Sequence, residues 1–161
     1  MTVGEVCRRD VVTAKPETPL VEAVALMKSY HVGDLVVVEE RGSRRMPIGI
    51  LTDRDVALSI ANHAARIAYF RVSDLMKQNP ITAQEGDSLH DALKKMQANG
   101  IRRLPVVDLT GELQGILTLD DLVELLSEEL ADLAKLVLRE QRRERLHQIE
   151  AVRGWRRVEL R

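Results

Sequence analysis

Gly49-Ile50-Leu51-Thr52-Asp53-Arg54-Asp55 and Gly115-Ile116-Leu117-Thr118-Leu119-Asp120-Asp121 decide the fold of this chain. Each runs from a glycine through two aliphatic residues to a threonine, with an acid three residues further on. That is the signature of a short buried strand passing directly into a capped helix. Working outward, Val32, Leu35 and Val37-Val38 match Ile101, Leu104 and Val106-Val107. Leu20, Ala23 and Met27 match Leu89, Ala92 and Met96, a spacing that lines one face of a helix. Val12-Thr13-Ala14 matches Ile81-Thr82-Ala83. The offset slips by three residues within Glu40 to Pro47, where Arg41-Gly42-Ser43 reads as a longer loop than the one around Thr110-Gly111. The chain is one motif written twice.

Each copy reads as strand, helix, strand, strand, helix. The predicted elements are 11–13, 19–31, 34–40, 46–52 and 53–63, then 80–82, 88–99, 104–108, 113–118 and 119 onward. Leu35 to Val38 and Ile48 to Leu51 are short apolar runs rich in β-branched residues, so both strands require cover on both faces. A unit of about 55 residues rarely supplies enough core to fold alone. The two copies therefore pack about a pseudo-twofold axis, with a cleft between them as the natural ligand site. The fold class is α/β of the α+β type: two β-α-β-β-α repeats, 1–66 and 67–127, plus an extended C-terminal helix and basic tail, 128–161.

The doubled Gly-Ile-Leu-Thr motif, with Ile101-Arg102-Arg103-Leu104-Pro105-Val106-Val107-Asp108, resembles the cystathionine-β-synthase (CBS) domain pair over residues 2 to 127. The resemblance implies a stand-alone regulatory module, not an enzyme. Such a module binds AMP, ADP, ATP, NAD or S-adenosylmethionine between its repeats, often as a homodimer, and acts on a separate effector protein.

Thr52 and Asp55 admit two readings. They form a capping box at a helix N-terminus, or Asp55 accepts both hydroxyls of a ribose diol while Thr52 bonds the sugar or phosphate. Thr118 and Asp121 repeat the pair. Only the first motif adds a cation, Arg54, beside the helix N-terminus, so the first site favours phosphorylated ligands. Arg102 and Arg103 precede the central strand of the second repeat where the first has Gly33-Asp34, an asymmetric supply of positive charge. Their alternative is a solvated strand end, or a salt bridge to Asp34. The family resemblance places adenine against the opposite repeat's first strand. That pairs Thr82 and Ala83 with the Thr52-Asp55 site, and Thr13 and Ala14 with the Thr118-Asp121 site, with Gly33 and Ile101 beside the central strands.

Composition narrows the alternatives. Net charge is -1 over 161 residues, and aromatic residues make up 2%, too few for a platform on which bases stack. Cys7 is the single cysteine and the four histidines lie far apart, so no metal site is expected. No phosphate loop, nucleophile elbow or dinucleotide fingerprint occurs. With no signal-peptide pattern and no long apolar run, a cytoplasmic protein without membrane contact is expected.

Leu122, Leu126, Leu130, Leu133 and Val137 recur at intervals of four and three, which extends the last helix as an amphipathic rod. That stripe packs back on the module or against the same helix of another subunit. Gly154 is expected to end or kink the helix. Trp155, Arg156, Arg157 and Arg161 leave a basic tail for RNA or an acidic partner, a minor reading.

Overall fold

The computed structural model describes the backbone of residues 1–158 and the side chains of residues 1–63 and 66–145. The chain divides into a compact unit, Met1–Asp121, and a second unit from Leu122 onward. In chain order the elements are α1 (Val3–Val6), β1 (Thr13–Ala14), α2 (Leu20–Tyr30), β2 (Asp34–Arg41), β3 (Arg44–Thr52) and α3 (Asp53–His63). A 3-10 turn over Ala64–Tyr69 leads to α4 (Val72–Leu75), β4 (Lys77–Gln78), β5 (Ala83–Gln84), α5 (Leu89–Asn99), β6 (Arg103–Val107), β7 (Leu113–Thr118) and α6 (Leu119–Val158).

The doubled order of strand, helix, strand, strand, helix is present. One sheet runs β1-β2-β3-β4 and the other β5-β6-β7. In each, the first strand is parallel to the second and the second antiparallel to the third. Both copies shift register at one place, between Val37 and Val38 and between Val106 and Val107. The first strands sit slightly later than predicted, at Thr13–Ala14 and Ala83–Gln84, because pairing with Val36–Val37 and Val106–Val107 sets where the ladder starts.

β2 shows why its apolar run is continuous. Leu35 and Val37 turn to a core with Leu20, Ala23 and Met27 of α2, Val56 of α3 and Val72 of α4. Val36 and Val38 turn the other way, onto Leu113 and Ile116 of the second repeat. Successive strand residues point to opposite faces, so a strand covered on both needs apolar residues at every position. Each such side chain, once fully buried, contributes about 1.5–3 kcal/mol of transfer free energy. The inter-repeat layer is what holds the two sheets face to face.

The connecting segments cross between repeats. Val3 and Gly4 of α1 donate to Asp87 O and Glu85 O, and Arg8 exchanges two backbone bonds with Ile116. The first nine residues thus complete the second sheet. Reciprocally, Val72 and Ser73 donate to Thr18 O and Pro16 O, and β4 pairs with β3. The two helices α2 and α5 end alike, in a left-handed residue: His31 with φ 53° and Gly100 with φ 61°.

The second unit consists of α6, which continues through Gly154 to Val158 instead of ending there. A single interior glycine costs about 1 kcal/mol, less than the surrounding helix-forming residues supply. The side chains of the basic tail, Trp155, Arg156, Arg157 and Arg161, lie outside the described residues.

Candidate functional site

Thr52 is the last residue of β3 and Asp55 the third of α3, so the strand-to-helix junction brings both side chains to one helix N-terminus. Asp55 Oδ2 accepts from Thr52 N at 3.1 Å and from Thr52 Oγ1 at 2.6 Å, and Asp55 N donates back to Thr52 Oγ1 at 3.2 Å. Thr118 and Asp121 close the same box at 2.9, 2.6 and 3.2 Å. The cap is therefore formed in both copies, and each carboxylate has one oxygen committed to it. What differs is the other oxygen.

Asp55 Oδ1 faces Lys77 Nζ at 3.8 Å, a loose approach. Asp121 Oδ1 is held by Arg8 Nε at 2.6 Å, with the Asp121 side chain 6% exposed against 17% for Asp55. Lys77 and Arg8 are equivalent positions in the repeat, arriving on the two crossing segments. Just before them, Met76 and Cys7 lie over the motif glycines: a Cβ on Gly49 would come within 2.7 Å of Met76 Sδ, and one on Gly115 within 2.7 Å of Cys7 Sγ. The leading glycine of each motif is the space in which the crossing segment lies.

Beside Thr52 a cavity of about 580 Å³ opens between the repeats. Ile50, Thr52, Asp53 and Arg54 line it from the first repeat, Ile101, Arg102 and Arg103 from the second, and Lys77 to Ile81 from the connection. Four cationic side chains face one carboxylate, so the wall is positive overall. Arg103 Nε is paired with Asp34 Oδ1 at 2.7 Å. Burial pushes the Asp34 carboxyl above its ordinary range, Arg103 pulls it back and Asp53 adds to the rise. Gly33 permits this grouping, since a Cβ there would sit 3.3 Å from Asp53 Oδ2 and 3.4 Å from Arg103 Nη2. Among the described residues, no ion pair holds Arg54 or Arg102, which remain available to an anion.

The remaining expected residues lie further back. Thr82 offers its carbonyl to Lys95 Nζ at 3.3 Å, and Ala83 is fully buried opposite Val106. Pro80 and Ile81, not Thr82 and Ala83, line the cavity. Thr13 and Ala14 are similarly committed to pairing with Val36 and Val37. Sequence reasoning missed Lys77 to Ile81, although the same 69-residue offset that relates Thr13 to Thr82 also relates Arg8 to Lys77. Asn79 within this stretch takes a left-handed φ of 52° and donates its N–H to Ile48 O at 3.1 Å. A separate groove of about 640 Å³ lies among α3, the 3-10 turn and α4, away from both threonine–aspartate pairs. Although it is the larger, it holds no strand-to-helix junction.

Among the described residues no group of three or more His, Cys, Asp or Glu could hold a metal ion, and no helix is long and apolar enough to cross a membrane.

The CBS domain family model matches residues 3–62 and 72–128. The CBS domain-containing protein YhcV of Bacillus subtilis is 37% identical over 131 residues, covering 81% of this chain and 89% of that protein. An uncharacterised protein of Methanopyrus kandleri is 38% identical over 125 residues, 78% of this chain and 62% of that protein. The inosine-5'-monophosphate dehydrogenase of Aquifex aeolicus is 35% identical over 114 residues, 70% of this chain but 22% of that enzyme. The chain therefore spans about three-fifths of the Methanopyrus protein and about a fifth of the Aquifex enzyme. Among solved structures, the CBS domain pair of protein MJ0100 in complex with 5-methylthioadenosine and S-adenosyl-L-methionine superposes with a TM-score of 0.71 at 26% identity, covering 80% of this chain and 98% of that one. CBSX2 in complex with AMP gives 0.66 at 28% identity, covering 79% and 96%.

Proposed function

Since the chain belongs to the CBS-domain family, we propose that it is a regulatory module which binds a phosphorylated adenine nucleotide in the first cleft and performs no chemistry on it. The observation that carries this reading is the cavity of about 580 Å³ whose wall holds Arg54 and Arg102, engaged by no ion pair among the described residues, beside Lys77 and Arg103, which face Asp55 and Asp34. Asp55, next to the lining residues Asp53 and Arg54 though not itself among them, accepts a ribose hydroxyl on Oδ1, displacing the loose Lys77 contact, while Oδ2 keeps the helix cap. Arg54 and Arg102 take the phosphate, with the N-terminus of α3 adding its partial positive charge. Pro80 and Ile81 supply backbone and apolar surface to the base. The solved relatives with AMP and with S-adenosyl-L-methionine support the adenosine portion, and the local charge favours AMP or ADP over the sulfonium ligand.

Residues from both repeats line the cavity, so a bound nucleotide stabilises one arrangement of the two over others. That differential affinity is what regulation requires, whether read out by a second subunit or by an effector protein. The competing reading is a ligand-free interaction module whose threonine–aspartate pairs serve only as caps, favoured by the two closed capping boxes. Thermal unfolding in AMP, ADP, ATP, NAD and S-adenosylmethionine separates them. At a hundred times its dissociation constant a ligand adds about 2.7 kcal/mol to stability. AMP or ADP raising Tm supports the sensor, and no response to any of the five leaves the interaction module.

A further inference from the structure

We propose that α6 pairs in antiparallel orientation with α6 of a second copy of this chain. The stripe Val123, Leu126, Leu130, Leu133, Val137 follows the three-four alternation of a coiled-coil seam. Every member is more than half exposed: 54, 55, 66, 58 and 53%. Leu136 and Leu138, at 56 and 58%, widen it. A helix face with this much exposed aliphatic surface calls for a matching surface, and the seam spacing fits another helix of the same kind.

The distribution of charge chooses both the occupant and its direction. From 122 to 134 the helix carries Glu124, Glu128, Glu129 and Asp132 with no lysine or arginine. From 135 to 145 it carries Lys135, Arg139, Arg142, Arg143 and Arg145 against Glu140 and Glu144. The first half is thus net −4 and the second net +3. Parallel pairing stacks acid on acid and base on base, whereas antiparallel pairing sets each half against its complement. In the register that seats Leu130 of one copy against Leu133 of the other, Leu126 meets Val137 of the opposite copy, giving four apolar layers between 126 and 137, while Val123 faces Glu140, Glu124 faces Arg139 and Glu128 faces Lys135. This inference does not depend on the nucleotide site, so either can fail without the other.

Single cysteines report the geometry. In full-length protein with Cys7→Ala, Leu126→Cys and Val137→Cys are made separately, at exposed positions that tolerate a thiol, and oxidised alone or as an equimolar mixture. The mixture is expected to give a disulfide-linked dimer joining the two variants, while each alone, with its thiols about 16 Å apart along the axis, stays uncross-linked. Raising salt is expected to lower the yield several-fold. Self-linked dimers of each variant, meaning a parallel pair, overturn the proposal, as does absence of any link in the mixture. As a second measure, Leu130→Glu with Leu133→Glu is expected to abolish helix-mediated linking in an otherwise identical Cys7→Ala mixture, with far-UV circular dichroism reporting that the compact unit remains folded. Unchanged linking in that background also overturns it.

Discussion

The two threonine–aspartate junctions are built from the same parts and differ in what faces the second oxygen of the capping aspartate. In the first, Lys77 stands 3.8 Å from Asp55 Oδ1 and a cationic cavity lies alongside. In the second, Arg8 grips Asp121 Oδ1 at 2.6 Å, and the motif supplies Leu119-Asp120 where the first supplies Asp53-Arg54. A duplicated fold thus keeps its helix caps in both copies while the second oxygen of each carboxylate meets a different partner. Under the proposed nucleotide reading, capping and binding draw on different oxygens of one carboxylate, so the same residue pair is structural in one half and functional in the other.

The largest effect expected from this contrast is at Asp55. Asp55→Ala weakens AMP binding by about 1.5–3 kcal/mol, since a charged acceptor is lost. Asp121→Ala instead leaves AMP affinity in place and removes about 1–2 kcal/mol of folding stability with its cap. Isothermal calorimetry and urea unfolding of the two variants check this pair, and a reversed pattern interchanges the clefts. Next in size is Arg8→Ala, which frees Asp121 Oδ1. Because Arg8 is 63% exposed, its ion pair is worth only about 1 kcal/mol, so a second, weaker binding event is expected to emerge in calorimetry and to favour ligands with less phosphate charge.

The helix ends offer a smaller contrast. His31 adopts the left-handed conformation that Gly100 adopts freely, so His31→Gly raises stability by about 0.5–1 kcal/mol and Gly100→Ala lowers it by a similar amount, read as Tm. Smallest is a pH effect at Asp34, the first repeat's counterpart of Arg103. Burial raises its pKa above the ordinary 3.8, partly opposed by Arg103. A carboxyl raised in the folded state lends stability below about pH 3.8 and loses it as pH climbs through the folded value. Asp34→Asn removes that loss, so unfolding free energy should rise more steeply with pH from about 4 upward than in the parent. Asp87 acts with the opposite sign, its pKa lowered first by the bond to Lys95, so its contribution disappears as pH falls through its depressed value.

Much of this was legible before any coordinates. The repeated Gly-Ile-Leu-Thr junction, the apolar runs of β2 and β6 and the buried face of α2 are local patterns, and local patterns survive translation into structure. Asp34 with Arg103 was among the readings the residues left open, and the bridge at 2.7 Å is present. What sequence could not reveal was which repeat each connecting segment serves. Arg8 pairs with Ile116 and Val72 with Thr18, contacts whose partners lie far off in the chain and leave no periodic trace. For the same reason the sequence points to Thr82 and Ala83 and not to Lys77 to Ile81 as cavity wall, although Ala83 pairs with β6 and the Thr82 carbonyl accepts from Lys95. The division of labour between Oδ1 and Oδ2 is a matter of ångströms that residue identity alone does not encode.

The crossing of the first nine residues onto the second sheet has a temporal consequence. The strand that Arg8 bonds, at Ile116, is made more than a hundred residues after Arg8 itself. At translation speeds of about 5–20 residues per second, that interval is on the order of 5–20 s. During it the leading segment has no docking place, and Cys7, destined for a buried seat over Gly115, stays open to oxidants in the nascent chain. Residues 1–9 are thus secured only after the strand around Ile116 has been made.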